Sequence, residues 1–405
     1  MHSVADRPAV QPQQGLGANV SLPPAPISRL VIFLVFVRLG ATAFGGPAMI
    51  PRIEQTVTER GWLPRQAVRT GIALAQFLPG ATVMQVAAFV GYRLRGISGA
   101  AVAFVGFVIP ASIVMLGLAA CYPTLHHSMI GAAVFTGMQA VVAAIIAHAA
   151  LTFGRRAIGS VGEGAIAAAT AAAFLVGLSP ALTVVVAAAL GALVLPKTRP
   201  STPIDERLNC RAFLFPLVLL GLGLAAASLL FAVDTGLFTL MAAMAKVGLF
   251  AFGGAYGSLP LMFHEVVELR HWMDPASFLD GFALSQVTPG PILTMATFIG
   301  WNVGGLPGAV IATVAIFFPS FVVLTAAVPV LDRLRGHRLT EPAMRGAAAS
   351  LVGLLVVMTY RFGVLVPWSV PTVVFAVGAF GLLLVKTNPL WVILGIGAVA
   401  PLILG

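Results

Sequence analysis

Two cations and two proline–glycine pairs are the residues of this chain best placed to do chemistry. Arg38 and Lys246 each lie inside an apolar run, six residues before Phe44-Gly45-Gly46 and Phe252-Gly253-Gly254. A cation within a membrane span costs about 2.5–3.5 kcal/mol on insertion scales and rarely faces lipid, so an anion is its natural partner. Pro79-Gly80 and Pro289-Gly290 interrupt two further apolar runs. Proline removes a backbone donor and clashes with the preceding turn, so the helix breaks. The helix that restarts presents free N–H groups and its positive dipole end, which suits an anion. Thr82 and Thr294 add hydroxyls near these breaks, and Gln76, Gln85 and Gln286 add amides.

This chemistry is binding, not bond-making. No Gly-x-Ser-x-Gly element, phosphate loop or Cys-x-x-Cys is present, and nothing in the sequence calls for a cofactor. The run His264-Glu265-Val266-Val267-Glu268 resembles a helical zinc motif with its second histidine replaced by glutamate. It lacks a third ligand, so no metal site is expected. Cys121 and Cys210 fall in different loop regions and suggest no disulfide framework.

The elements that position these residues occur twice. Phe44-Gly45-Gly46, Gln76-Phe77-Leu78-Pro79-Gly80, Gly91-Tyr92, Gly96, Gly99-Ala100 and Pro110 form the first set. Phe252-Gly253-Gly254, Gln286-Val287-Thr288-Pro289-Gly290, Gly300-Trp301, Gly305, Gly308-Ala309 and Pro319 form the second. The offset is 208 at Phe44 and Phe252, 210 at Pro79 and Pro289, and 209 from Gly91 and Gly300 onward. Glycine and proline could mark packing kinks in any membrane helix, but the same break in both halves favours a functional role for Gly45, Gly46, Gly253, Gly254 and the two Pro-Gly pairs.

With 405 residues, 59% of them hydrophobic and 9% charged, the chain has too few charges for a soluble surface. The partner is a lipid bilayer. The formal net charge of +10 then reflects loop bias rather than nucleic-acid binding. Apolar runs place spans near 27–50, 71–92, 97–121, 128–151, 162–178, 180–196, 212–233, 236–262, 281–302, 305–331, 344–360, 364–386 and 388–404. The expected fold is therefore an all-α polytopic membrane protein with about 13 transmembrane helices. Residues 1–26 read as a disordered cytoplasmic tail, 27–196 and 236–405 as six-helix repeats, and 197–235 as a cytoplasmic loop and linking helix. An odd number of crossings between equivalent helices inverts the repeats, the architecture of secondary transporters with a midplane site at broken helices. Lys and Arg placement favours a cytoplasmic N-terminus and an external C-terminus in a cell membrane. The segment 51–70 runs against that bias, since it puts Arg52, Arg60, Arg65 and Arg69 outside, either in a solvated amphipathic loop or as an anion-collecting vestibule. Should proton exchange accompany transport, Glu54, Glu163 and Glu265 near span ends and His148 within a span are the candidates.

These residues resemble the chromate ion transporter family in its long, two-domain form. The resemblance rests on Phe44-Gly45-Gly46-Pro47, Pro79-Gly80 with Gln85, Gly91 to Ala100 and Pro110, and on their second copies through Pro319-Ser320. The family pattern favours Pro-Gly-Pro in both halves, whereas the first copy here has Ala81 and the second has Ala255 after Gly-Gly. The resemblance implies export of chromate, chromate resistance and sulfate as the isosteric competitor. The residues alone reach only a small-oxyanion transporter, with the oligomeric state, including a homo-oligomer, left open. The alternatives are an uptake transporter for sulfate or a related oxyanion, and a membrane enzyme acting on a lipid phosphate.

Overall fold

The computed structural model describes residues 27–44, 49–196, 213–252, 255–330 and 339–404. The N-terminal tail, Gly45, Gly46, Gly253, Gly254 and Cys210 lie outside these residues. The described chain is helical, without strands. The first half comprises α1 (Arg29–Thr42), α2 (Met49–Glu59), α3 (Arg65–Phe77), α4 (Thr82–His126), α5 (Met129–Ala157), α6 (Val161–Leu175) and α7 (Pro180–Val194). After α8 (Leu214–Val233), the second comprises α9 (Thr235–Leu249), α10 (Ala255–Phe263) with a π turn His264–Leu269, α11 (Pro275–Val287), a 3-10 turn Ile292–Thr294, α12 (Met295–Ala327), α13 (Thr340–Leu365), α14 (Val370–Leu384) and α15 (Pro389–Leu404). Local chemistry sets the starts. Side chains of Ser28, Ser128, Ser160, Asp234 and Asp274 accept the free N–H groups that open α1, α5, α6, α9 and α11.

Five helical segments, Thr82–His126, Met129–Ala157, Leu214–Val233, Ile292–Ala327 and Thr340–Leu365, are long and apolar enough to cross a bilayer. The molecule is thus an all-α, multi-pass membrane protein. Only Pro216 of α8 is fully buried; Phe215 and Leu219 pack partly against the core, while Leu214, Leu217, Leu220, Leu222, Leu224 and Phe231 are exposed, as lipid contact requires.

The expected continuous spans at 27–50, 71–92, 236–262 and 281–302 are each divided. At 71–92 the reason is geometric. Gly71 and Phe89 lie on opposite sides of the break yet pack face to face. In a helix running straight on they would be about 27 Å apart at 1.5 Å per residue. The chain therefore folds back at Pro79-Gly80, with α3 and the start of α4 side by side. Gly281 against Phe298 repeats this in the second half. A second reversal follows at Arg95-Gly96 and at Gly304-Gly305, where Gly96 and Gly305 adopt φ of +60° and +58°. There Gly91 meets the backbone of Gly99, and Gly300 that of Gly308. Only glycine permits so close an approach. Gly91→Ala or Gly300→Ala should overpack this reversal and destabilise the protein by about 1–3 kcal/mol, read as a lower thermal midpoint in detergent. Unchanged midpoints would mean that the arms can separate freely.

One correction concerns the arginines of 51–70. Folding back brings Arg65 and Arg69 of α3 to the same end of the hairpin as Arg93 and Arg95, not the opposite one. Residues 49–59 and 65–77 are helices packed on each other and on α4, rather than an open loop.

The halves exchange their ends. Helices α6 and α7 pack on α13, while α14 and α15 pack on α5. Gly346 of α13 abuts Gly191 of α7, and Gly137 of α5 abuts Ala400 of α15. These are equivalent pairs, each related by 209 residues. Buried Glu163 at the start of α6 is 2.7 Å from Arg345 near the start of α13 and also accepts from Gly159 N–H.

Candidate functional site

Both breaks end the same way. Helix α3 stops with Leu78 extended, its N–H still bonded to Leu74 O at 3.1 Å, and α11 stops with Thr288 extended, bonded to Leu284 O at 3.1 Å. Gly80 and Gly290 then adopt φ of +121° and +91°, which L side chains rarely tolerate. Gln85 Nε2 braces the first break by donating to Pro79 O at 2.7 Å.

Each break is seated on the opposite half. Ala81 N–H donates to Ser320 Oγ at 2.8 Å, and Ser320 follows Pro319 in α12. Gly290 N–H donates to Ala43 O, just after α1, at 2.7 Å. A methyl group on Gly290 would lie 2.5 Å from the Ala111 side chain, which follows Pro110 in α4. Ala111 and Ser320 are equivalent positions, so the contacts are reciprocal.

Three buried polar atoms have no hydrogen-bond partner among the described residues: Gln85 Oε1, Gln286 Nε2 and Ser112 Oγ. An unmet buried polar group costs about 1–3 kcal/mol, so these are groups with capacity to bind a ligand. Gln286 offers a donor at the end of α11, and Gln85 an acceptor near the start of α4, whose first-turn N–H groups no intrahelical carbonyl can satisfy.

The other expected site residues divide. Thr82 is half-buried at the start of α4, with its hydroxyl unpaired among the described residues. Thr294 is buried and donates its hydroxyl to Pro291 O at 2.8 Å. Gln76 is exposed, and Pro79 and Pro289 lie in the breaks as expected from the sequence. Arg38 is exposed and makes no ion pair among the described residues. Lys246 Nζ lies 2.7 Å from Glu265 Oε1, and Glu265 also pairs with Arg270. No hydrogen bond or ion pair joins Arg38 or Lys246 to either break among the described residues.

The charged groups beyond the breaks are mostly held. Glu54 lies 3.3 Å from Arg65 and 3.2 Å from Arg69. His264 is 2.8 Å from Glu268, which also pairs with Arg361. His148 is half-buried, with Nε2 3.4 Å from Thr152 Oγ1. Arg52 donates to Thr42 O at 2.8 Å, satisfying a carbonyl at the end of α1. Arg60 covers Trp62 and Arg270 covers Trp272, at 5.6 and 5.3 Å. The two stacks are equivalent in the repeat.

The sequence reading gave no site role to Ser320, Ala43 or Ala111, the seats of the breaks, or to Arg345 and Arg361, the partners of Glu163 and Glu268. The repeated Pro110-Ala111 and Pro319-Ser320 could have drawn notice to the seats. Asp280, buried against Tyr122 and Gln139, carried no repeated signal at all.

A family model described as chromate transporter matches residues 30–192 and again residues 238–401. An uncharacterized transporter of Methanocaldococcus jannaschii is 38% identical, over 91% of this chain and 92% of its own. A chromate transport protein of Pseudomonas aeruginosa is 30% identical, over 93% of this chain and 91% of its own. An uncharacterized transporter of Bacillus subtilis is 30% identical over 155 residues, 36% of this chain but 85% of its own. No solved structure matches the chain.

Proposed function

The chain belongs to the chromate transporter family, and on that premise we propose that it exports chromate from the cytoplasm by alternating access, with sulfate as a competing analogue. The observation that carries this reading is the pair of helix breaks, 210 residues apart, each seated on the other half. Inverted repeats at 27–196 and 236–405, joined through 197–235, fit the contacts. Helix α6 begins directly after α5 ends, and its Glu163 meets Arg345 at the start of α13. The start of α13 thus lies where its repeat equivalent α5 finishes, as expected if equivalent helices run in opposite directions. The Bacillus subtilis relative, 85% of whose length aligns with 155 residues of this chain, about the length of one half, supports the half as the repeated unit.

A cytoplasmic N-terminus and external C-terminus fit the charges better once the hairpins fold back. Arg60, Arg65 and Arg69, which ran against the bias, then share a side with Arg93, Arg95, Arg155 and Arg156. A substrate dianion would bind between the breaks, with Gly80, Thr82, Gln85, Gln286 and Gly290 nearest and Arg38 offsetting charge along the path. A negative cytoplasm drives a dianion outward by about 4.6 kcal/mol at 100 mV, twice the figure of about 2.3 for one charge.

The test is accumulation of labelled chromate, and separately sulfate, in everted membrane vesicles with and without an imposed inside-positive potential. Chromate accumulation that rises with the potential and is competed by sulfate is expected. Net flux in the opposite direction would favour oxyanion uptake, and no flux of either anion in vesicles containing the protein would overturn the transport reading.

A further inference from the structure

Asp280 lies on α11, the arm leading into the second break, and is fully buried. Its Oδ2 accepts from the Tyr122 hydroxyl at 2.8 Å and its Oδ1 from Gln139 Nε2 at 2.8 Å. His126 Nε2 stands 3.6 Å from Oδ2. Tyr122, His126 and Gln139 belong to α4 and α5 of the first half, so the carboxylate joins the halves.

Its company sets Asp280 apart. Glu54, Glu163, Glu265 and Glu268 each pair with at least one arginine. Asp280 faces two neutral donors and one imidazole, whose charge depends on a bound proton. The groups facing it are Tyr122 and His126 from α4 and Gln139 from α5. On its own helix Ser277 stands one turn away, and Asp274, which caps the helix start, is occupied with Ser277 and the first N–H groups. Helices α12 and α15, packed against α11, contain no ionisable side chain, and Arg361 of α13 is taken by Glu268. An ionised carboxylate buried without a permanent cation is expensive, and binding a proton at the pair removes the cost.

A route exists for that proton. The His126 side chain is 41% exposed in the last turn of α4, so its ring can exchange a proton with water. We infer that Asp280 and His126 form the proton-binding site through which anion transport responds to a pH gradient. A proton from water binds His126 Nε2 and passes to Asp280 Oδ2, leaving the imidazole neutral; release reverses the steps and no electrons move. Ionised Asp280 accepts from both Tyr122 and Gln139 in charge-assisted bonds, roughly twice as strong as neutral ones. Protonated Asp280 must donate one hydrogen, so the clamp between halves weakens. The break at Thr288 lies eight residues further along α11, about 12 Å away, so the change acts on the arm that carries it. The repeat equivalent of Asp280 is Thr70, which leaves one such site per chain.

This inference rests on the transport reading, and two measurements keep the two apart. In the first, chromate flux into everted vesicles is measured at clamped potential with and without a pH gradient. The wild-type protein should give a flux that changes several-fold with the gradient, while Asp280→Asn, which can keep a hydrogen bond to each partner, should give a ratio near one. A wild-type ratio near one, or an Asp280→Asn ratio equal to a responsive wild type, overturns the inference while leaving transport standing. The second needs no flux: infrared difference spectra of purified protein between acid and alkaline pH should contain a carboxylic-acid carbonyl band that is lost in Asp280→Asn and shifted in midpoint in His126→Gln. An unchanged band in both variants overturns the proton site whatever the vesicles do.

Discussion

Glutamine in place of Glu265 should destabilise the protein by about 3 kcal/mol, the lower end of the 3–5 kcal/mol range for breaking a buried ion pair. Glu265 is fully buried on the π turn, and its two oxygens separately engage Lys246 and Arg270. Removing its charge leaves Arg270 without a carboxylate in a largely dry position. Lys246 loses less, because its side chain is 40% exposed and can recover solvent. The comparison is Glu54→Gln, whose partners Arg65 and Arg69 are 66% and 61% exposed and for which about 0–1 kcal/mol is expected. Heating detergent-solubilised protein and following the monodisperse fraction by size exclusion separates the two. Equal midpoints for the two variants would mean that the ion pairs of Glu265 contribute little, leaving Lys246 free to meet a substrate. A large loss confined to Glu265→Gln would assign Lys246 to holding α9 against the π turn.

That distinction bears on how far the sequence could be read. The two halves and their breaks were legible because proline, glycine and a repeat offset that stays within 208–210 residues are properties of the chain itself. A Pro-Gly pair says where a helix stops, but not in which direction it resumes. The direction is set by Gly71 against Phe89 and Gly281 against Phe298, contacts that look like any small residue near any aromatic one. Reading the break as a bend within one span put Arg65 and Arg69 on the wrong side of Arg93 and Arg95. Most of α2 and the start of α3 fell in the segment 51–70, read as a solvated loop or a vestibule, because its many charges hid an apolar stripe, Met49, Ile53 and Val57 on α2 being buried. The buried acids were harder still. Glu265 was visible as a span-end carboxylate, but a π turn shifts side chains off the 3.6-residue period on which pairing arguments rest. The partners of Asp280 come from 158 and 141 residues away, beyond any local pattern.

Alanine at Gly290 should reduce anion flux at least tenfold while leaving the protein in the membrane. Two effects combine. The φ of +91° at Gly290 disfavours any Cβ, by about 1–2 kcal/mol in the left-handed region, and the new methyl would stand 2.5 Å from the Ala111 Cβ. Relieving that clash needs movement of α4, or of the hydrogen bond from Gly290 N–H to Ala43 O, and so disturbs the seat where the halves meet. Overpacking of this kind costs about 1–3 kcal/mol. The second variant separates the two effects. Ala111→Gly removes the opposing methyl and should restore part of the flux to Gly290→Ala, leaving the backbone penalty in place, so the pair should be coupled in a double-mutant cycle. Full activity of Gly290→Ala would mean that the break is not strained as described. An unaltered defect in the double variant would mean that α4 is not the surface against which the break works. Gly80 offers the matched case: a methyl there would stand 2.5 Å from Ser320 Oγ, 2.9 Å from Gln85 Nε2 and 3.0 Å from Ser320 Cβ, and the two polar ends can rotate aside at the cost of their bonds to Ala81 N–H and Pro79 O. Gly80→Ala should therefore lose less flux than Gly290→Ala, although both glycines occupy the same place in the repeat. Side-chain ends yield where a packed methyl cannot, so the second break is the more rigidly seated of the two.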